Sequence, residues 1–225
     1  MSGPDVSALL LTGWLALVTT ALLLLIGTPL AWWLAQTRSR WRPAIEAIVA
    51  LPLVLPPTVL GFYLLLLFNP SAPLGAAWLS VTGDTLTFSF AGLVVASCIY
   101  SLPFMVQPLT SAFMALSRGP VEAAASLRAS PIDTFFSVVV PLSKRGFLTA
   151  AVLSFAHTLG EFGVVLMVGG NLPERTRVVS IAIYEHVETL AYGQAHTLSL
   201  ILVLISFVVL TIVYATNRMQ AVRVG

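Results

Sequence analysis

The chain has 225 residues, of which 58% are hydrophobic and only 9% charged. A water-soluble domain carries about 25% charged residues to wet its surface. With 11 Lys+Arg and 9 Asp+Glu, a soluble globular domain is excluded, and the apolar content excludes a disordered chain. The net charge of +2 matters less than where the charges stand.

A bilayer core of ~30 Å takes about 20 apolar residues as helix. Residues 6–37, 47–83, 85–117, 146–160 and 189–217 carry no charge. They predict five spans, at Leu9–Leu34, Ile45–Phe68, Phe88–Leu116, Phe147–Val168 and Leu198–Thr216. The fourth crosses a single Glu161. A sixth is not expected, because the remaining segments hold charges or turn residues. Runs such as Leu64–Leu67 are continuous rather than alternating. That favours helices over a barrel, since an isolated segment in lipid must satisfy its own backbone. Asp5 is the only charge before the first span, so a cleaved signal with a basic leader is not expected. The lone Cys98 cannot form an internal disulfide.

Basic residues orient the spans. Arg38, Arg40 and Arg42 follow the first span. Arg118, Arg128, Lys144 and Arg145 stand between the third and fourth, and Arg218 and Arg223 follow the fifth. All nine fall on one side, against Arg175 and Arg177 on the other. The expectation is an outward N-terminus and a cytoplasmic C-terminus, with cytoplasmic loops at 35–44 and 117–145 and outer loops at 69–87 and 169–197.

The second span holds Pro52, Pro56 and Pro57, then Thr58 and Gly61. Interior prolines delete helix hydrogen bonds and kink the chain. A broken helix survives at membrane depth only inside protein or beside a water-filled cavity. Pro56, Pro57 and Thr58 are therefore candidates for a pathway lining. In the third span Ser97, Ser101 and Gln107 surround Pro103 and Pro108. They either line the same route or bond neighbouring helices.

The segment 117–141 is longer and more patterned than a simple connection. Gly119-Pro120 with Glu122 predicts a helix start. Ser130-Pro131-Ile132-Asp133 predicts a second, with Ser as cap and Pro at the first position. Phe135, Phe136 and Val138–Val140 give an apolar face that Pro141 is expected to end. Two short helices follow, either lying on the membrane or docking in a groove of a cytoplasmic partner.

Glu161 stands inside the fourth span, and an intramembrane acid is functional by default. His157 lies four residues earlier, so the two can share a helix face and pair. Gly160 and Gly163 flank the acid and are expected to hold it with backbone donors.

These residues carry a resemblance. Glu122-Ala123-Ala124, followed at the family spacing by Pro141, resembles the motif of permease subunits of ABC importers. Arg128 stands where that motif has Gly, which would take a positive φ without strain. Leu51–Pro57 with Gly61-Phe62-Tyr63 looks like the second span of molybdate-type permeases. Gly160-Glu161-Phe162-Gly163 is shared with sulfate permeases as well. The resemblance implies an all-α integral membrane protein of about five spans with a cytoplasmic pair of coupling helices, as in type I ABC importers. It implies one permease domain over residues 1–225, in a bacterial inner membrane. Glu122, Ala123, Ala124, Leu127, Arg128 and Pro141 would dock a cytoplasmic ATPase subunit. Pro56, Pro57, Thr58, Ser97, Ser101, His157, Gly160, Glu161 and Gly163 would line a pathway or gate. An external oxyanion-binding protein and a second copy of the chain complete the expected assembly. ATP-Mg would be used by the ATPase alone.

The sequence holds no P-loop, since its only lysine is Lys144 and no Gly precedes it. His157, His186 and His196 lack metal-ligand spacing, and no catalytic triad converges. No cofactor, metal or nucleic-acid partner is expected. The reading is a transport subunit, not an enzyme, carrying molybdate or tungstate. The alternatives are a sulfate-type permease and a proton-coupled secondary anion transporter, although the latter folds typically contain repeats.

Overall fold

A computed structural model describes residues 3–219. Arg223 lies outside these residues. Among the described residues there are helices and no strands. In chain order they are α1 (Gly3–Gln36), α2 (Arg42–Val54), α3 (Pro57–Phe68), α4 (Pro73–Thr82), α5 (Phe90–Met114) and α6 (Arg118–Ser126). Then follow α7 (Pro131–Thr134), a π-helical turn at Phe135–Val139, α8 (Val140–Leu142), α9 (Lys144–Leu159), α10 (Gly163–Gly169), α11 (Val179–Glu188) and α12 (Tyr192–Met219).

Three of these, α1, α5 and α12, are long and apolar enough to cross a membrane. The count rises to five if each of two bent pairs is one span. The expected first, third and fifth spans are these three helices. The expected second span is instead two helices meeting at 111°. The corner follows from its prolines. A residue before proline is pushed out of the helical region. Pro56 therefore forces Leu55 to ψ 136°, and Pro57 forces Pro56 to ψ 135°. Two successive extended residues turn the chain, and Pro57 then suits the first position of α3. Pro103 and Pro108 do not break α5, because that helix is packed along its length.

α5 is the central helix, with α1 and α9 against it. Leu23, Ala31, Leu34, Met105, Val106, Leu109, Phe113 and Ala150 form one buried cluster. A Cβ at Gly27 would come within 2.8 Å of Met105 Cγ, so glycine lets α1 and α5 approach closely. Residues 169–197 are not simply a loop. Val179, Ile181 and Ala182 of α11 are buried, with Val179 and Ala182 packed against Ala8 and Leu198. The hydroxyl of Thr12 accepts from the Val179 N–H at 2.8 Å, satisfying a free donor at the start of α11. Arg177, expected on an exposed loop, is only 9% exposed and pairs with Glu185 at 3.1 Å.

The segment 117–141 folds as two short helical pieces, with differences. α6 begins at Arg118, so Glu122 lies beyond its first turn. Arg128 takes φ +61°, the position its glycine counterpart would favour. Its N–H bonds Ala125 O at 3.0 Å, and the Ala129 N–H bonds Ala124 O at 3.1 Å. This pair of bonds is a Schellman cap. The bend is therefore made at the expected residue, with side-chain strain of about 1 kcal/mol. Arg128→Gly is expected to keep both bonds and raise the melting temperature by about 2–4 °C, measured by thermal unfolding in detergent. An unchanged or lower value would show that Arg128 carries no strain. Ser130 caps α7 by accepting from the Asp133 N–H at 3.1 Å, as expected. Pro141 does not end the helix, which continues to Leu142. The preceding π turn, closed by Val140 N–H to Phe135 O, widens the backbone where the proline ring would otherwise clash.

Candidate translocation site and coupling surface

The expected fourth span is interrupted. α9 ends at Leu159 and α10 starts at Gly163, so Glu161 sits in the break rather than on a helix. The corner between α2 and α3 lies against this break. A Cβ at Gly163 would come within 2.8 Å of Pro57 Cβ, and one at Gly61 within 2.8 Å of Met167 Cβ. Both glycines therefore serve close approach of α3 and α10. A cavity of about 560 Å³ opens between them. Pro57, Thr58, His157, Gly160, Glu161 and Gly163 all line it, with Tyr100. Six of the nine candidate pathway residues are thus brought together. Pro56 is exposed one residue outside the lining, and Ser97 and Ser101 are buried in α5 behind it.

Ser101 acts on the site through His157. Its Oγ lies 2.9 Å from His157 Nδ1 and 3.0 Å from Thr158 Oγ1. Thr158 Oγ1 donates to Ser154 O at 2.9 Å. Each hydroxyl has one proton. Thr158 spends its proton on Ser154, so it accepts from Ser101, and Ser101 accepts from His157 Nδ1–H. The ring is also stacked on Phe104 at 4.1 Å between centroids and tilted against Tyr100 at 4.6 Å. His157 is therefore held in one orientation, with Nε2 left unbonded.

Glu161 is 4% exposed, and neither carboxyl oxygen has a hydrogen-bond partner. The Ser97 hydroxyl lies beside the carboxyl but outside hydrogen-bond geometry. The expected pairing with His157 is absent, and Gly160 and Gly163 donate nothing to the carboxyl. The break explains this, since i and i+4 are neighbours only on a continuous helix. Ser180 Oγ donates to the Glu161 carbonyl at 2.6 Å, which ties the broken backbone to α11. Sequence reasoning missed Tyr100, Phe104, Thr158 and Ser154. No local pattern singles them out, and only the packing of α5 on α9 joins them to His157.

The second surface is the segment 117–141. Val121, Phe135 and buried Val139 pack into the core cluster. Trp32 meets Phe113 at 5.3 Å and Phe135 at 5.5 Å, edge to face. Anchored by these, the segment exposes Leu127 (83%) at the end of α6, while Ile132 (72%) of α7 and Phe136 (66%) of the π turn are exposed along a groove shared with Leu25 and Pro29 of α1. Glu122, Ala123, Arg128 and Pro141 are also exposed, and Ala124 is buried. The result is an exposed segment that mixes apolar and polar side chains, as protein interfaces do.

Residues 27–224 match the family model described as the inner membrane component of binding-protein-dependent transport systems. The chain belongs to this family. The permease is 59% identical over 221 residues to the molybdenum transport system permease protein ModB of Azotobacter vinelandii, covering 98% of each chain. It is 32% identical over 206 residues to a probable sulfate transport system permease protein cysT of Nephroselmis olivacea, covering 92% of this chain and 71% of that one. Its fold matches a bacterial alginate ABC transporter in complex with an alginate pentasaccharide-bound periplasmic protein. There the TM-score is 0.73 and the identity 19%, over 98% of this chain and 80% of that one. The permease is therefore an all-α, multi-pass inner-membrane subunit of an ABC importer.

Proposed function

We propose that this permease carries a tetrahedral oxyanion, molybdate, across the inner membrane, driven by ATP hydrolysed on a separate subunit. The 59% identity over 98% of both chains with a molybdenum permease carries the substrate assignment, and the weaker sulfate relative ranks below it. Residues 1–225 form one permease domain with the N-terminus outside and the C-terminus in the cytoplasm, following the nine basic residues. The exposed segment around Glu122 and Leu127 docks the ATPase, which binds ATP-Mg. An external binding protein delivers the anion. A second copy of the chain completes the pathway, closed two-fold symmetry being the commonest assembly.

The cavity at the α9–α10 break is the gate. Its lining includes no lysine or arginine, which suits conduction, because a tightly held dianion would not leave. The proposal is tested with the permease, its ATPase and its binding protein in liposomes. Molybdate uptake is expected only with ATP, with sulfate competing weakly. Uptake without the ATPase, or sulfate carried equally well, would contradict it. Within this system Glu161→Met removes the buried acid at similar volume. It is expected to lower uptake about tenfold, a barrier change of about 1.4 kcal/mol, with ATPase binding unchanged. Unaltered uptake would remove Glu161 from the gate.

A further inference from the structure

We propose that Glu161 and His157 form a two-state latch. They are apart in the broken arrangement of α9 and α10 described here, and hydrogen-bonded when the break rewinds into continuous helix. The inference rests on the gate reading and adds to it a specific partner for the acid.

Four observations carry it. Both carboxyl oxygens of Glu161 are buried without a partner, and such burial is costly unless another state repays it. His157 Nε2 is likewise unbonded, while the chain through Ser101, Thr158 and Ser154 holds the ring in place. Both residues border the same cavity, with the carboxyl set beside Ser97 in this arrangement, so rewinding the break is what brings it to Nε2. Their spacing is i,i+4, which a continuous helix converts into neighbouring side chains about 5–6 Å apart at Cβ.

Gly160 fits the same picture. Its φ is −92°, and a Cβ there would meet only Ala156 O and His157 O, each at 3.9 Å. Alanine is therefore accommodated in the broken state. Glycine at this position keeps the break open, because alanine favours continuous helix far more strongly. The pair needs one proton. With Nδ1–H held by Ser101, Nε2 is an acceptor. The buried acid, neutral because an unpaired buried carboxylate is costly, donates its own O–H to Nε2, so no proton is gained or lost when the latch closes. Ser101 is the positioning residue, since its acceptance of Nδ1–H leaves Nε2 for the acid.

The test places a second histidine in the latch. In Glu161→His, with His157 intact, two imidazoles at i,i+4 bind Ni²⁺ only if the helix is continuous. The purified complex is expected to bind about one Ni²⁺ per chain by calorimetry, i,i+4 histidines being a known metal pair on a helix. Binding should disappear in Glu161→His/His157→Phe and strengthen in Glu161→His/Gly160→Ala. No binding would overturn the latch. Should Glu161→His fail to assemble, uptake by Glu161→Met, His157→Phe and their double variant decides. Partners in one latch are non-additive, so the double variant is expected to be no worse than the worse single. Multiplicative losses would overturn the proposal. Glu161→Gln, whose amide still donates to Nε2, should recover part of the uptake. Wild-type uptake is measured alongside. Its absence would count against the importer reading, whereas a failed latch with normal wild-type uptake counts against the latch alone.

Discussion

Leu127→Asp is expected to abolish ATP-driven uptake while leaving the permease folded. Leu127 is 83% exposed at the cap between α6 and α7. Burying a leucine contributes about 1.5–3 kcal/mol, and a carboxylate placed in the same apolar groove adds a desolvation cost. Central interface residues reach about 2–4 kcal/mol on truncation, so affinity for the ATPase should fall about 30- to 1,000-fold. Such a loss is read by co-purification and by titrating the ATPase onto permease in nanodiscs. The melting temperature of the isolated permease should stay unchanged, because the side chain supports little of its own fold. Leu127→Met, which keeps the apolar volume, should dock normally. Wild-type ATPase affinity in Leu127→Asp would mean that the segment around Leu127 is not the docking surface.

Asp5→Ala is expected to cause a large loss of stability. Asp5 is 1% exposed, and its Oδ1 lies 2.9 Å from His186 Nε2. This contact ties the start of α1 to α11, 181 residues away. Removing one partner of this hydrogen bond leaves the other buried without its match, at a cost of about 1–3 kcal/mol. For a chain of this length, that corresponds to a fall in melting temperature of about 2–12 °C. Asp5→Asn keeps an acceptor for His186 and should recover most of the loss. A melting temperature for Asp5→Ala equal to wild type would show that the contact contributes nothing net.

The difference between legible and hidden features follows from range. Ser130 as the cap of α7 was readable, because an N-cap involves residues three apart. The positive φ at Arg128 was also readable as a requirement of the bend, whatever residue filled it. The 111° corner at Leu55–Pro56 was legible as a break but not as an angle. Proline excludes helical values at the preceding residue without choosing the direction of the next helix. The unbroken course of α5 through Pro103 and Pro108 shows the converse, since packing by α1 and α9 outweighs a local defect. By sequence, Asp5 is only the one charge before the first span, and residues 169–197 are a loop. Their partners lie far away in the chain, and no local pattern joins them.

The scarcity of charge, together with the five uncharged windows, determined a helical membrane protein. Membrane burial is a property of composition and run length. The motif around Glu122 located a segment that is exposed in the structure, because helix-start and cap signals are local. The tertiary structure alone decided which candidates meet. It placed Thr58, His157 and Glu161 around one cavity and set Ser101 behind the imidazole. It also parted Glu161 from His157 at a break in the helix. Such juxtapositions depend on how helices remote in sequence settle against one another, and close packing at Gly27, Gly61 and Gly163 determines that.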